Sequence, residues 1–385
     1  MKQCGMEPLD FNLPTQIAFG WGRASEAGEL AAPLGRRALL VTMKDLPAGP
    51  RIADILRKSG IEVEIFDGAE SDPSIECIAA AAPRVREGRF DFLVGVGGGS
   101  VIDTAKALCL LARGKGSAWD YTIETGDDRR MGGPDTPPLM AIPTTSGTGS
   151  EVTFIAVMTN KGLSKKAPIR DPMIFPRIAL VDPELASTMP PKLTASTGFD
   201  AFTHGYERFF GGDLSMLVHV LATTGMRTVV ENLETAVNEP GNRAARTAMS
   251  WAATQCAMAL APPAGEACLH VFGLPLGAVA HVPHGQALAA VMRVITREGL
   301  RRMPKRRPEL AAIMGLPEGS GDEEILDCIE AWLKRIGLPT RMSGHGVTKD
   351  QIPALVAAIS RPRIAKVFGD DFGEDDIKRL YIEAL

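Results

Sequence analysis

Along the first half of the chain, short apolar runs alternate with amphipathic stretches. Ala38-Leu39-Leu40-Val41 is a compact apolar run, and a helical pattern follows through Ile52-Ala53-Asp54-Ile55-Leu56. Glu62-Val63-Glu64-Ile65-Phe66 alternates with period two. Ile75 to Arg86 reads as a helix despite Pro83, and Phe92-Leu93-Val94-Gly95-Val96 is a second continuous apolar run. This βαβα order predicts a parallel sheet covered by helices. Further strands are expected at Leu139–Ile142, Phe154–Val157 and Ile178–Val181. The polar, Gly/Pro-rich stretch from Arg113 to Pro138 is expected to loop over the sheet edge.

The pattern changes near Met189-Pro190-Pro191. Strand signals largely vanish, and Ala/Leu/Met-rich segments such as Met216–Leu233 and Ala244–Ala261 suit buried helices. Double prolines at Pro190-Pro191 and Pro262-Pro263 punctuate them. The expectation is an α/β domain over residues 1–188 and an all-α domain over 189–385. A chain of 385 residues suits two cores better than one.

Composition narrows the function classes. With 45% hydrophobic and 23% charged residues the chain is globular in type. A net charge of −4 supplies no basic field for nucleic acid or an anionic membrane, and 5% aromatics do not suggest stacking platforms. Neither partner is expected. The N-terminal residues, with Lys2, Glu7 and Asp10, lack the apolar stretch of a secretory signal, so a cytoplasmic location is expected. Cys4, Cys77, Cys109, Cys256, Cys268 and Cys328 are scattered without metal-like CxxC spacing and are expected to be reduced thiols, most of them in the core.

Two loops at strand ends carry candidate phosphate chemistry. Gly97-Gly98-Gly99-Ser100 follows an apolar strand and opens a helix from Val101 to Leu111. A helix N-terminus offers unpaired N–H groups, and glycines let a phosphate approach them. Ser100 is expected to cap that helix. A tight turn without ligand would leave the same trace, and the run is not the usual GxGxxG. Pro143-Thr144-Thr145-Ser146-Gly147-Thr148-Gly149-Ser150-Glu151 follows another apolar strand and concentrates hydroxyls where α/β sheets bind ligands. A plain Ser/Thr turn is its structural alternative.

The chain has six histidines. Asp200 and His204 stand at i, i+4, which places both on one helix face, where they could chelate a divalent cation or simply pair. His270 and either His281 or His284 could complete such a site, and spacing does not choose between the last two. A His3Asp set suits Fe2+ or Zn2+. His219, inside Leu-Val-His-Val-Leu, reads as a satisfied buried histidine, and His345 receives no role.

These residues resemble a known family. Gly97–Lys106, Pro143–Glu151, Leu193–His204 and His270–Gly285 are similar, in the same order, to the signature stretches of the iron-containing, or group III, alcohol dehydrogenases. The similarity runs from about Phe11 to the C-terminus and is strongest from 90 to 290. It implies an N-terminal dinucleotide-binding domain, a helical C-terminal domain and an active site in the cleft between them. Asp200, His204, His270 and His284 are then the metal ligands, which selects His284. Gly98, Gly99, Ser100, Asp103, Thr144, Thr145, Thr153 and Lys166 are implied as contacts to NAD or NADP, with Asp72 near the nicotinamide ribose.

The implied activity is direct hydride transfer between the nicotinamide and an alcohol or aldehyde held by Fe2+ or Zn2+, in a homodimer. Two positions depart from the family pattern. Met43 stands where many NAD-specific members carry an acid, which with Lys44 admits NADP. Leu274 stands where many members carry another histidine, so a proton would travel otherwise, with His281 as the candidate relay. Rival readings are a metal-independent reductase of the maleylacetate type, a lyase of the dehydroquinate-synthase type and a non-catalytic dinucleotide sensor.

Overall fold

The computed structural model describes residues 10–163, 165–211, 215–261, 268–359 and 361–385. Cys4, Lys2, Glu7 and the Pro262-Pro263 pair lie outside the described residues. The chain divides into two compact units, one spanning Phe11–Met189 and the other running from Pro190 to Leu385.

The first unit is built on eight strands: β1 (Gln16–Phe19), β2 (Arg37–Val41), β3 (Glu62–Phe66), β4 (Phe92–Gly97), β5 (Leu139–Pro143), β6 (Ile155–Asn160), β7 (Lys165–Arg170) and β8 (Ile178–Val181). Six of them form one sheet in the order β1-β8-β5-β4-β2-β3, with every pairing parallel. Its helices are α1 (Ala27–Ala31), α2 (Ala48–Lys58), α3 (Ile75–Gly88), α4 (Gly99–Arg113) and α5 (Pro183–Ala186).

Successive side chains of a strand point to opposite faces. Leu39, Val41, Leu93, Leu139 and Ala141 accordingly join one buried cluster, while Leu40, Phe92, Val94, Met140 and Ile142 join another. A parallel sheet covered on both faces needs such uninterrupted apolar strands.

In the first unit three expectations are refined. The strand expected at Phe154–Val157 is β6, which lies outside the parallel sheet and pairs antiparallel with β7 in a separate two-stranded ribbon. The Arg113–Pro138 stretch contains 3-10 turns at Ala118–Tyr121 and Ile123–Asp128, and Thr122 bridges to Ile169 of β7, so it packs on that ribbon. Gly98, not Ser100, is the N-cap of α4, with no side-chain cap.

The second unit contains α6 (Pro191–Phe209), α7 (Met216–Asn238), α8 (Arg243–Met258), α9 (Cys268–Ala280), α10 (His284–Arg302), α11 (Arg307–Ile313), α12 (Asp322–Arg335), α13 (Ile352–Ala358), α14 (Arg361–Phe368) and α15 (Glu374–Ala384). One apolar cluster runs through it, and α6 supplies its aromatic centre. Phe199 and Phe202 stand 5.9 and 5.2 Å from the buried Trp332 ring of α12. No described helix is long and apolar enough to cross a membrane. The five described cysteines are free, and only Cys328 is partly exposed. His219 is half-exposed rather than buried, its Nε2 2.7 Å from Glu309 Oε1.

Candidate metal centre and nucleotide loops

Helix α6 carries Asp200 and His204 one turn apart, with Asp200 almost fully buried. His270 is the third residue of α9, and His284 is the first residue of α10. The entry into α10 is fixed by a close approach. A Cβ on Gly285 would lie 2.2 Å from Ser196 O of α6, so only glycine lets the two backbones meet there. That contact sets His284 beside Asp200.

Asp200 Oδ1 is the focus. His284 Nε2 lies 3.4 Å from it, His270 Nε2 3.6 Å and His204 Nε2 3.9 Å. Candidate ligand atoms of Asp200, His270 and His284 all fall within 4.8 Å of one another, a group that does not include His204. The His204 and His270 rings stack at 5.2 Å, and the His270 and His284 rings are 5.1 Å apart.

Asp200 Oδ1 is buried and has no hydrogen-bond partner. An orphaned buried carboxylate oxygen is costly. Three ring nitrogens gathered around it, slightly too far for good hydrogen bonds, match the spacing of donors that share one cation, about 3.4 Å for a tetrahedral set with bonds near 2.1 Å. The residues therefore fit a divalent metal.

The electrostatics are those of a crowded site. Burial raises the Asp200 carboxyl, but His204, His270 and His284 outweigh it and hold it well below its ordinary value. Burial pulls His204 down to about 4, helped by the two neighbouring imidazoles. Burial also lowers His270, yet the neighbouring carboxylates of Asp200 and Glu207 prevail and raise it to about 9. Glu207 was not anticipated from the sequence. It follows Asp200 at i+7 on α6, and that spacing was its only signal. Leu274 is half-buried on α9. His281 is exposed on the turn after α9, with a left-handed backbone at φ 55°.

In the first unit the two loops pack against each other at the carboxyl ends of β4 and β5. Thr144 N donates to Gly97 O at 3.0 Å. A Cβ on Gly99 would meet Thr148 Cγ2 at 2.5 Å, and one on Gly98 would meet Thr145 Cγ2 at 3.2 Å. The glycines are thus needed for loop-on-loop packing as well as for any close ligand.

Ser100 Oγ accepts from Asp72 N at 3.1 Å. Asp72, at φ 69°, takes Thr159 Oγ1 at 2.7 Å and Lys166 Nζ at 2.8 Å. Asp103 accepts from Ser150 Oγ at 2.6 Å and from Val157 N at 2.9 Å. Lys106, fully buried, donates to Ser150 Oγ at 2.7 Å, Thr153 Oγ1 at 3.1 Å and Ile155 O at 2.7 Å. Burial lowers its ammonium to about 8, against the pull of Asp103 and Glu151. Asp72, Ser100 and Lys166 thus form one linked group, while Asp103 and Thr153 join a second through Ser150 and Lys106. Met43 is half-buried and bridges to Gly68 just past β2, with Lys44 exposed.

Comparison with known proteins agrees along nearly the whole chain. Residues 14–183 match the model of the iron-containing alcohol dehydrogenase family, and residues 194–385 match the C-terminal model of the same family. The NADPH-dependent butanol dehydrogenase of Clostridium saccharobutylicum is 31% identical over 97% of each chain. The 1,3-propanediol dehydrogenase of Klebsiella pneumoniae is 32% identical over 94% of this chain and 99% of its own. Among solved structures, an alcohol dehydrogenase from an archaeal halo-thermophile of a Red Sea brine pool superposes with a TM-score of 0.91 at 27% identity, covering 98% of this chain and 99% of that one. A 1,3-propanediol oxidoreductase gives 0.88 at 30% identity, covering 98% and 100%. The chain therefore belongs to the iron-containing alcohol dehydrogenase family and is an NAD(P)-linked oxidoreductase of that family.

Proposed function

We propose that this chain interconverts alcohols and aldehydes, with Asp200, His204, His270 and His284 holding one divalent cation, Fe2+ or Zn2+. The observation that carries the reading is the buried Asp200 Oδ1, unpartnered and ringed by three imidazole nitrogens at 3.4–3.9 Å. When bound, the cation supplies Lewis-acid polarisation of the substrate oxygen and the nicotinamide supplies or accepts the hydride.

The Phe11–Met189 unit is the proposed nucleotide holder. Gly98, Gly99 and Ser100 present the first-turn N–H groups of α4, which suit a pyrophosphate. The Ser100 hydroxyl accepts from Asp72 N, which leaves its proton free to donate to a phosphate oxygen. Thr144 and Thr145 offer hydroxyls from the facing loop. Lys166, held by Asp72, places a cation beside the same turn. Asp103 and Thr153 act in this reading by fixing the loops, since Ser150, Val157 and Lys106 engage them. Met43 places no carboxylate past β2, which suits NADP as well as NAD.

In the Pro190–Leu385 unit, half-buried Leu274 lies on the metal-bearing helix α9 and favours apolar alcohols over polyols. The exposed His281 is the proposed proton relay to solvent. Relatives named for butanol and 1,3-propanediol point to short primary alcohols.

The test is anaerobic purification with elemental analysis, and NADH and NADPH assays against short aldehydes. About one Fe or Zn per chain, with both metal and turnover lost in His284→Ala, is the expected result. Full activity in a metal-free His284→Ala protein sinks the reading and leaves a metal-independent reductase.

A further inference from the structure

We propose that Glu207 is a positioning residue for the metal centre. One of its carboxylate oxygens fixes the start of α9 and the His270 ring together, so that Nε2 is the nitrogen His270 offers to a cation. The inference rests on the proposed role of His270 as a ligand.

Glu207 lies on α6 at i+7 from Asp200 and i+3 from His204, so all three face the same side of the helix. Its side chain is 2% exposed. Oε1 accepts from the backbone N–H of His270 at 2.8 Å and from His270 Nδ1 at 2.9 Å. The first bond meets a need of the backbone. As the third residue of α9, His270 has an N–H with no acceptor inside its own helix, and a carboxylate there is favoured by the helix dipole.

The second bond serves the ring. A carboxylate oxygen accepts only, so Nδ1 must carry the proton, and in a neutral imidazole Nε2 then keeps the lone pair. That nitrogen is the one aimed at Asp200 Oδ1, 3.6 Å away. Helix capping alone does not require the bond to Nδ1. Both bonds together fix the ring in position and in tautomer, as a carboxylate–histidine–metal relay does.

The deciding measurement is Zn2+ affinity of the full chain by chelator competition, for the unaltered protein, Glu207→Gln and Glu207→Ala, with thermal unfolding recorded for each. Gln keeps an acceptor oxygen of the same reach, so its affinity is expected within about 3-fold of the parent, while Glu207→Ala binds about 10–100-fold more weakly. A folded Glu207→Ala protein with parental affinity overturns the inference. So does Glu207→Gln if it is as weak as the alanine variant.

Should Glu207→Ala fail to fold, 15N-histidine NMR of the zinc-loaded parent decides. A proton on Nδ1 of His270 is expected, and a proton on Nε2 with Nδ1 on the metal overturns the proposal. A parent chain that binds no zinc or iron defeats the metal reading itself, and this inference with it.

Discussion

Lys106 Nζ donates to Ser150 Oγ at 2.7 Å, and the same hydroxyl donates to Asp103 Oδ1 at 2.6 Å. Through Ser150, the helix that follows the first glycine turn is tied to the loop that follows β5. A fully buried ammonium and a half-buried carboxylate hold these two loops at a fixed separation. Removing one partner strands the other. Lys106→Met should cost about 1–3 kcal/mol of stability, because Ser150, Thr153 and the Ile155 carbonyl would lose a charged donor in a place closed to water. Cofactor affinity should fall with it. Denaturant unfolding checks the first effect and fluorescence titration with NADPH the second. An unchanged unfolding midpoint would mean that the ammonium contributes nothing to holding the loops.

Gly99→Ala probes the loop contact itself. The added Cβ would lie 2.5 Å from Thr148 Cγ2, so the loops must separate. The KM for the nicotinamide cofactor should rise about 10–100-fold, the scale on which small misplacements act. Steady-state kinetics of Gly99→Ala and of Gly99→Ala/Thr148→Gly separate causes. Partial recovery in the double variant locates the defect at the Thr148 contact, and none would place it elsewhere.

Met43 tests cofactor choice. It follows β2 and bridges to Gly68, with the exposed Lys44 next in the chain. An acid at this place accepts from a ribose hydroxyl and repels a 2′-phosphate. Met43→Asp should lower kcat/KM for NADPH by about tenfold or more, since opposed like charges cost several kcal/mol, and leave NADH nearly unaffected. Equal losses with both cofactors would argue that Met43 does not face the ribose.

Acid stability should involve Glu298 on α10. Burial raises its carboxyl, but Arg301 and Arg302, each with a guanidinium nitrogen 2.6 Å from it, outweigh burial and hold it below its ordinary value of 4.5. A carboxyl depressed in the folded state contributes stability that is fully present above 4.5 and lost as pH falls through the lower folded value. Glu298→Gln should therefore be less stable than the parent at neutral pH, with the difference shrinking below about pH 4.5. Unfolding curves at several pH values check this, and a constant difference across that range would exclude the linkage.

Much of the fold was legible because continuous apolar runs such as Phe92–Val96 have few ways to be buried. Strands β2, β3, β4, β5 and β8 fall where such runs or alternation stand. Two strands gave no such signal. Gln16–Phe19 is four residues long and becomes a strand by pairing with Ile178–Val181, far along the chain. Lys165–Arg170 begins with two lysines and contains Pro168, and its partner β6 gives it its form.

Around the proposed metal centre, the i, i+4 spacing of Asp200 and His204 was visible because a helix makes neighbours of such residues. Glu207, three residues further on, has the same spacing logic. Its acceptor role became visible only once α9 was seen to start against it.

The sequence by itself determined which segments must be buried, where glycines and hydroxyls gather at strand ends, and that one helix carries a carboxylate and an imidazole on one face. These are local properties, set by the periods of helix and strand. Only the tertiary structure decided that His270 and His284 stand at Asp200 while His281 faces water, that Lys106 reaches Ser150 and Thr153 from α4, and that one oxygen of Glu207 serves two nitrogens of His270. Those relationships join residues far apart along the chain. They depend on how closely backbones can approach, as at Gly285 against Ser196, which packing fixes and periodicity does not.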